Sequence, residues 1–365
     1  MTSEKPEGQS YLHWAKTHRR VKYELTDSGV PQLKASDLPI TASDIRLRVR
    51  GSYGDPELIE AIANRWGVAR ESVLPVPGAS CGIFVALAGA AKAGESVLLE
   101  EPGYDPVQRS AEFLNLRIVP IRRRPEYDFA LRLDELAKLL AQRPAALFLT
   151  NLHNPSGQWI DRGQMADIAV RCAQAGTLLI VDEVYLEAAH LNGLESRWTA
   201  AQVGDRVITI NSLTKIHGFS GLRTGWVVAP PTYIERARGV MNLLSVNNAA
   251  PATALALRVF DRIERLGERF RAICEASAPV YRRWLENEPL VRGYPSRGAI
   301  FECVRLPPGV SSTALHERLV REYETQITPG SFFGLDDHIR LSLTPAPDDL
   351  SEALSRISQA LRPKQ

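Results

Sequence analysis

From Val73 to about Val228 the chain alternates apolar runs with amphipathic stretches, and that alternation leaves few folds open. The runs Ala145-Ala146-Leu147-Phe148-Leu149-Thr150 and Thr177-Leu178-Leu179-Ile180-Val181 read as strands apolar on both faces, the pattern of a parallel sheet covered on both sides. Between such runs lie helical patterns; Met165, Ile168, Ala169 and Cys172, for instance, share one face. Ahead of this region Asp55 reads as an N-cap, Pro56 as a first-turn proline and Gly67 as a stop, with Leu58, Ile62 and Trp66 along one side of the helix they enclose. The expectation is an α/β fold with a large, mostly parallel sheet. A long charged helix near Asp261 to Glu286 bridges to a smaller α+β domain, in which Ala299 to Val304 form a strand and the N-terminal segment folds back. The expected division is 41–265 for the large domain, and 1–40 with 266–365 for the small one.

At 365 residues, 44% hydrophobic and 24% charged, the chain is long enough for two domains with a large core. A net charge of +2 argues against a dedicated nucleic-acid or acidic-membrane partner, and His13, His18 and the cluster Arg19-Arg20-Val21-Lys22 read as a solvated face. The N-terminus carries no signal-peptide pattern, and no apolar run nears the ~20 residues needed to span a bilayer, so a cytoplasmic protein is expected. Cys81, Cys172, Cys274 and Cys303 lie far apart without metal-ligand spacing, which predicts reduced thiols and no zinc or disulfide framework. Cys81 sits where a helix N-terminus could acidify a thiol, although packing is its expected role.

The chemistry concentrates in the run from Ser212 to Gly225, around Lys215. A lysine that forms a Schiff base must be held with its amine partly desolvated, because only the neutral amine attacks a carbonyl carbon. Ser212 before it and Arg223 after it offer a hydroxyl and a guanidinium fork for a phosphate. A carbonyl-reactive lysine between phosphate ligands fits pyridoxal 5′-phosphate. Asp182 ends a buried strand, the place where α/β proteins put their ligands, and suits a protonated pyridine nitrogen; as structure alone it would cap the next helix. Gly78, Ala79 and Ser80 form a small-residue turn into an apolar helix, whose free N–H groups make an anion site.

The set resembles the class I/II aminotransferases, the fold-type I pyridoxal-phosphate enzymes, over roughly residues 20 to 360. It is carried by the lysine run, by Asp182-Glu183-Val184-Tyr185, by Asn151-Leu152-His153-Asn154-Pro155-Ser156-Gly157, and by Pro329-Gly330 through Phe333 followed by Arg340. The resemblance implies a large domain with a seven-stranded sheet, pyridoxal phosphate as cofactor, and a homodimer. It implies that Tyr185 and Asn154 bond the cofactor's phenolic oxygen, that Tyr104 stacks on its ring, and that Arg340 grips the substrate's α-carboxylate in a bidentate pair, with Asn154 also on the substrate side. His153 and Ser156 are variations on the family's Asn-Pro-x-Asn-Pro-Thr-Gly pattern.

The implied activity is amino transfer between an α-amino acid and a 2-oxo acid through Lys215 as Schiff base and proton shuttle. Elimination, cyclisation or decarboxylation of an amino acid by the same cofactor is the alternative. A cofactor-sensing transcription regulator would need a DNA-binding segment ahead of residue 40, where a short polar stretch stands. One departure concerns the tyrosine that reaches the neighbouring subunit's phosphate: its slot falls near Val49, leaving Tyr53 as the substitute. The loop Ser245-Val246-Asn247-Asn248 is expected to complete the neighbour's site. No arginine is committed to a side-chain carboxylate, which speaks against a dicarboxylic amino acid specialist.

Overall fold

The computed structural model describes residues 10–363 apart from 39, 295 and 297. After a first strand, β1 (Tyr23–Leu25), the chain lays down seven strands of one sheet: β2 (Val73–Val76), β3 (Ser96–Glu101), β4 (Arg117–Arg122), β5 (Ala146–Thr150), β6 (Leu178–Asp182), β7 (Val207–Ser212) and β8 (Gly225–Val228). Their spatial order is β2-β8-β7-β6-β5-β3-β4. Only β8 opposes its neighbours, running antiparallel to both β2 and β7.

Side chains alternate across each strand, so both faces acquire a core. Phe148, Ile180 and Ile210 go to one face with Val76 and Ile83; Leu147, Leu149, Leu179 and Val181 go to the other with Met165, Ile168 and Cys172. Each such fully buried side chain contributes about 1.5–3 kcal/mol of transfer free energy, and this explains why the strands read as unbroken apolar runs. The helix Pro56–Trp66 begins where Asp55 accepts from Glu57 N at 2.9 Å and ends at Gly67, whose φ of 62° suits glycine.

A second sheet takes β1 together with β9 (Arg292–Gly293), β10 (Phe301–Arg305), β11 (Thr325–Pro329) and β12 (His338–Ser342), in the order β1-β11-β12-β10-β9. β1 pairs parallel with β11, and the remaining pairs are antiparallel. β10 starts two residues after the expected strand: Ala299 and Ile300 are buried but outside the ladder, and Gly298 just before them turns at φ 94°. The bridging helix spans Ile263–Asn287 and packs on the helices Leu186–Leu191 and Pro347–Leu361.

These pairings decide what meets what. Thr150 of β5 lies beside Asp182 of β6, so the carboxyl ends of neighbouring parallel strands stand together at one edge. From β1 the chain crosses to that edge, where Val30 N donates to Lys215 O at 2.9 Å and Leu33 N to Gly218 O at 3.1 Å.

Candidate active site

Lys215 sits in the turn after β7, partly buried, with its Nζ donating to Ser28 Oγ at 2.7 Å. Ser28 lies on the crossing segment. Gly29 beside it passes so near that a methyl group there would come within 3.3 Å of Lys215 O. Lys215 Nζ is 6.0 Å from the centre of the Tyr185 ring, and Tyr185 in turn meets Phe301 edge to face at 5.0 Å.

Asp182 closes β6 and is buried. It accepts from Val184 N at 3.1 Å. Burial pushes its carboxyl up to about 7, against the opposing pull of that N–H and of Lys215. Tyr104 stands at the start of the helix Asp105–Phe113, edge to face with Tyr11 at 6.2 Å; burial raises its phenol.

The turn from Asn151 to Gly157 is locked by its own polar groups. Asn151 bonds Ile160 in both directions, donating to its carbonyl at 2.9 Å and accepting from its N–H at 3.0 Å. His153 Nδ1 pairs with Ser156 Oγ at 2.6 Å and Nε2 with Pro102 O at 2.9 Å. Burial keeps this imidazole well below its ordinary value, hence neutral. The turn thus presents Asn154, whose Oδ1 accepts from Arg340 Nη1 at 2.9 Å.

Arg340 occupies β12 between β10 and β11 and is fully buried. Its Nη2 donates to Tyr11 Oη at 2.7 Å, Thr26 O at 3.0 Å and Thr328 Oγ1 at 3.3 Å, while its Nε has no partner. Tyr11, Phe333 and Phe301 surround the guanidinium with ring centres 5.4–5.5 Å away. Among the described residues no carboxylate pairs with it. Burial alone would raise the Tyr11 phenol, but Arg340 and Lys215 outweigh burial and lower it.

At the other end of the cleft, Gly78 caps the helix Ala79–Ala90 at φ 81°, and a methyl group on it would collide with the Arg223 guanidinium. Arg223 is exposed in a left-handed turn at φ 47°. Ser212 pairs with Gly225 across β7 and β8, and a Cβ on Gly225 would press on the Gly78–Ala79 peptide at 2.8–2.9 Å. Ser212, Arg223 and the N–H groups of Ala79 and Ser80 therefore converge on one spot. Cys81, one turn in, packs its sulfur 3.9 Å from Met241, and burial raises its thiol: it is a packing residue.

The structure brings together Lys215, Asp182, Tyr185, Tyr104, Asn154 and Arg340 at the cleft, with Gly78, Ala79, Ser80, Ser212 and Arg223 at its cradle end. Sequence reasoning missed Tyr11, Thr26 and Ser28, which reach the site from a polar N-terminal stretch with no periodic signal. Tyr53 is half exposed, its hydroxyl accepting from Asn242 at 3.4 Å, and Val49 is exposed. Asn247 and Asn248 bond within their own chain, to Gly54 N at 3.2 Å and Val76 O at 3.0 Å.

Residues 22–357 match the family described as Aminotransferase class I and II. An arginine–pyruvate transaminase of Pseudomonas aeruginosa is 29% identical over 80% of this chain and 75% of its own. A capreomycidine synthase of Streptomyces vinaceus is 25% identical over 94% and 90%. In fold, a PLP-dependent aminotransferase from Streptococcus suis superposes with a TM-score of 0.85 at 22% identity, covering 93% of each chain.

Proposed function

The chain belongs to the aminotransferase class I and II family, and from that premise we propose that it moves an amino group between an α-amino acid and a 2-oxo acid at Lys215. One observation carries the substrate class: Arg340 is a buried cation without a carboxylate partner among the described residues, in the same cleft as Lys215. A buried charge without a counter-ion is costly, and a planar fork walled by aromatic rings suits the planar carboxylate of an amino acid.

The residues present fit pyridoxal 5′-phosphate. Ser212, Arg223 and the N–H groups of Ala79 and Ser80 would take its phosphate, Asp182 its ring nitrogen, Tyr185 and Asn154 its phenolic oxygen, and Tyr104 the face of its ring. When bound, the cofactor supplies an aldehyde that holds the amino group and a ring that accepts electrons from the α-carbon. Arg340 holds the substrate carboxylate in place of the Tyr11 hydroxyl, which fixes the α-carbon against the lysine. The Lys215 amine takes the α-proton and keeps it within the cleft, where Tyr11, Tyr185 and Tyr104 limit water.

The test is a half-reaction. The loaded enzyme is mixed with a panel of amino acids, and 2-oxo acid, ammonia and the aminated cofactor are quantified. Oxo acid with one aminated cofactor and no ammonia supports transfer; ammonia release overturns it. That second outcome belongs to elimination; cyclisation or decarboxylation would consume the amino acid, release neither ammonia nor the 2-oxo acid and leave the cofactor as its aldehyde, and that result overturns transfer as well. Borohydride reduction and peptide mapping should place the cofactor on Lys215, and label on another lysine would sink the site.

A homodimer is part of this proposal, supported by exposed Leu47, Leu243, Leu244 and Val246 near the loop at 245–248. Full activity in a species that sediments as a monomer at micromolar concentration would refute it. A reducing compartment suits the four unpaired cysteines, and no helix among the described residues is long and apolar enough to cross a membrane.

A further inference from the structure

On the face of the small sheet opposite Arg340 lies a second cavity, which amino transfer does not use. Cys303 is the partner of Arg340 in the ladder and Glu302 the partner of Leu341, so alternation turns Glu302 away from the Lys215 cleft. There a cavity of about 610 Å³ opens between the helix Ile263–Asn287 and, among the described residues, Gly293, Tyr294, Ser296 and Gly298 to Ile300. Small-molecule sites span roughly 300–1,000 Å³, so the space admits a ligand rather than a few waters alone.

The walls are apolar, with Ile273, Ala278 and Leu285 on the helix and Ile300 opposite. Set in these walls are two buried polar atoms without partners, Glu302 Oε2 and the Tyr281 hydroxyl; their residues are 8% and 5% exposed. The other Glu302 oxygen accepts from Ser296 Oγ at 2.7 Å. Buried polar groups in folded chains are nearly always paired, so an orphan acid and an orphan phenol facing one cavity point to a partner that enters it. Among the described residues no lysine, arginine or histidine forms an ion pair with Glu302. Glu275 and Arg282, both exposed, stand at the mouth, and Cys274 and Tyr294 are the other titratable groups of the lining among the described residues.

We propose that this cavity is a second binding site, for a small organic ammonium ion with an aliphatic body. The N–H group reaches Glu302 Oε2 and the Tyr281 oxygen, both acceptors, while the alkyl part lies on Ile273, Ala278 and Leu285. A neutral alcohol can pair with these atoms too, but a cation also gains attraction to an ionised Glu302 in a poorly solvated place. Burial pushes the Glu302 carboxyl up to about 8, so near neutral pH the free site is protonated and gives up its proton when the ammonium binds. Ser296 links the site to the cleft: a methyl group on Gly157, in the Asn154 turn, would come 2.9 Å from Ser296 Cβ.

The test is calorimetric titration of the holoenzyme at neutral pH with N,N-dimethylbutylammonium, a tertiary ammonium ion that cannot condense with an aldehyde. Saturable binding at one site is expected, with about one proton released, read from the dependence of the heat on buffer ionisation. Glu302→Gln should abolish proton release and weaken binding about tenfold or more. Ala278→Phe, which fills the space and leaves the acid in place, should weaken it as much and decides the matter if the first variant fails to fold. Lys215→Ala should bind the ion as the parent does, so loss of transaminase activity and loss of this site are read separately. Butyltrimethylammonium, with the same charge and no N–H, should bind less tightly. Absence of saturable heat from the parent, or undiminished binding by Ala278→Phe, overturns the site.

Discussion

Arg340 holds a full charge where water does not reach, and three of its neighbours are neutral oxygens borrowed from distant parts of the chain: Asn154, Tyr11 and Thr26. Arg340→Lys keeps the charge and loses the planar fork, so affinity for α-amino acids should fall by about 1.5–3 kcal/mol, ten- to a hundredfold or more. The cofactor's absorption spectrum should stay as it is, and simple amines should react as before. Undiminished amino acid binding by that variant would make Arg340 a strand residue without a substrate role. Asp182→Ala is expected to retain part of the cofactor through the phosphate cradle yet lose most turnover; near-parental turnover would leave Asp182 as no more than a partner for Val184 N. Lys215, Asp182, Asn154 and Arg340 were legible because each stands in a short pattern tied to one turn or strand end. Tyr11 and Ser28 were not: Tyr11 meets a residue 329 positions away, and no local rule marks such a contact.

Elements show the same division. The inner strands β5 and β6 were legible from apolar runs, since burial on both faces leaves no polar alternation to mislead, whereas the partly exposed edge strand β4 carries no such run. The run Ala299-Ile300 looked like the start of β10, yet Ile300 contributes one bond, from Leu343 N at 2.9 Å, and the ladder begins at Phe301. Burial and strand pairing are separate requirements, and composition reports the first. Within the Asn154 turn, His153 and Ser156 depart from the family pattern together, and the structure gives the reason: they hydrogen-bond each other at 2.6 Å. Ser156→Ala leaves a buried imidazole nitrogen unpaired and should cost about 1–3 kcal/mol in urea denaturation, with KM for amino acids rising as Asn154 loosens. An unchanged unfolding midpoint would show that water replaces the hydroxyl.

At the scale of the whole molecule the buried titratable groups pull stability in opposite directions. Burial pushes Asp182 up to about 7 and Glu183 and Glu302 up to about 8, so each binds its proton more tightly folded than unfolded. Their contribution is complete below the ordinary carboxylate range near ~4 and is lost as pH rises through 7 to 8. His217 and His190, driven down to about 3 and about 4 by burial, contribute above the ordinary imidazole value of ~6.5 and lose that contribution as pH falls. Between ~6.5 and ~8 only the acids of this set titrate, so the urea midpoint of the cofactor-free protein should fall across that window. Asp182→Asn should flatten the slope. A midpoint that is level or climbs over the same range in the parent would contradict the burial of these acids.

The pairing of β1 with β11, and of Tyr11 with Arg340, also has a consequence in time. A ribosome delivers the chain from its N-terminus, so every strand of the large sheet emerges before β11 and β12 exist. The helix Tyr11–Thr17 emerges ahead of them and can meet Tyr104 early, but Tyr11 must wait for its bond to Arg340 until β12 has followed. Lys215 can be in its turn and the proposed phosphate cradle formed while the proposed carboxylate clamp is still absent. A nascent chain stalled short of residue 338 would therefore have the means to capture cofactor and none to hold an amino acid.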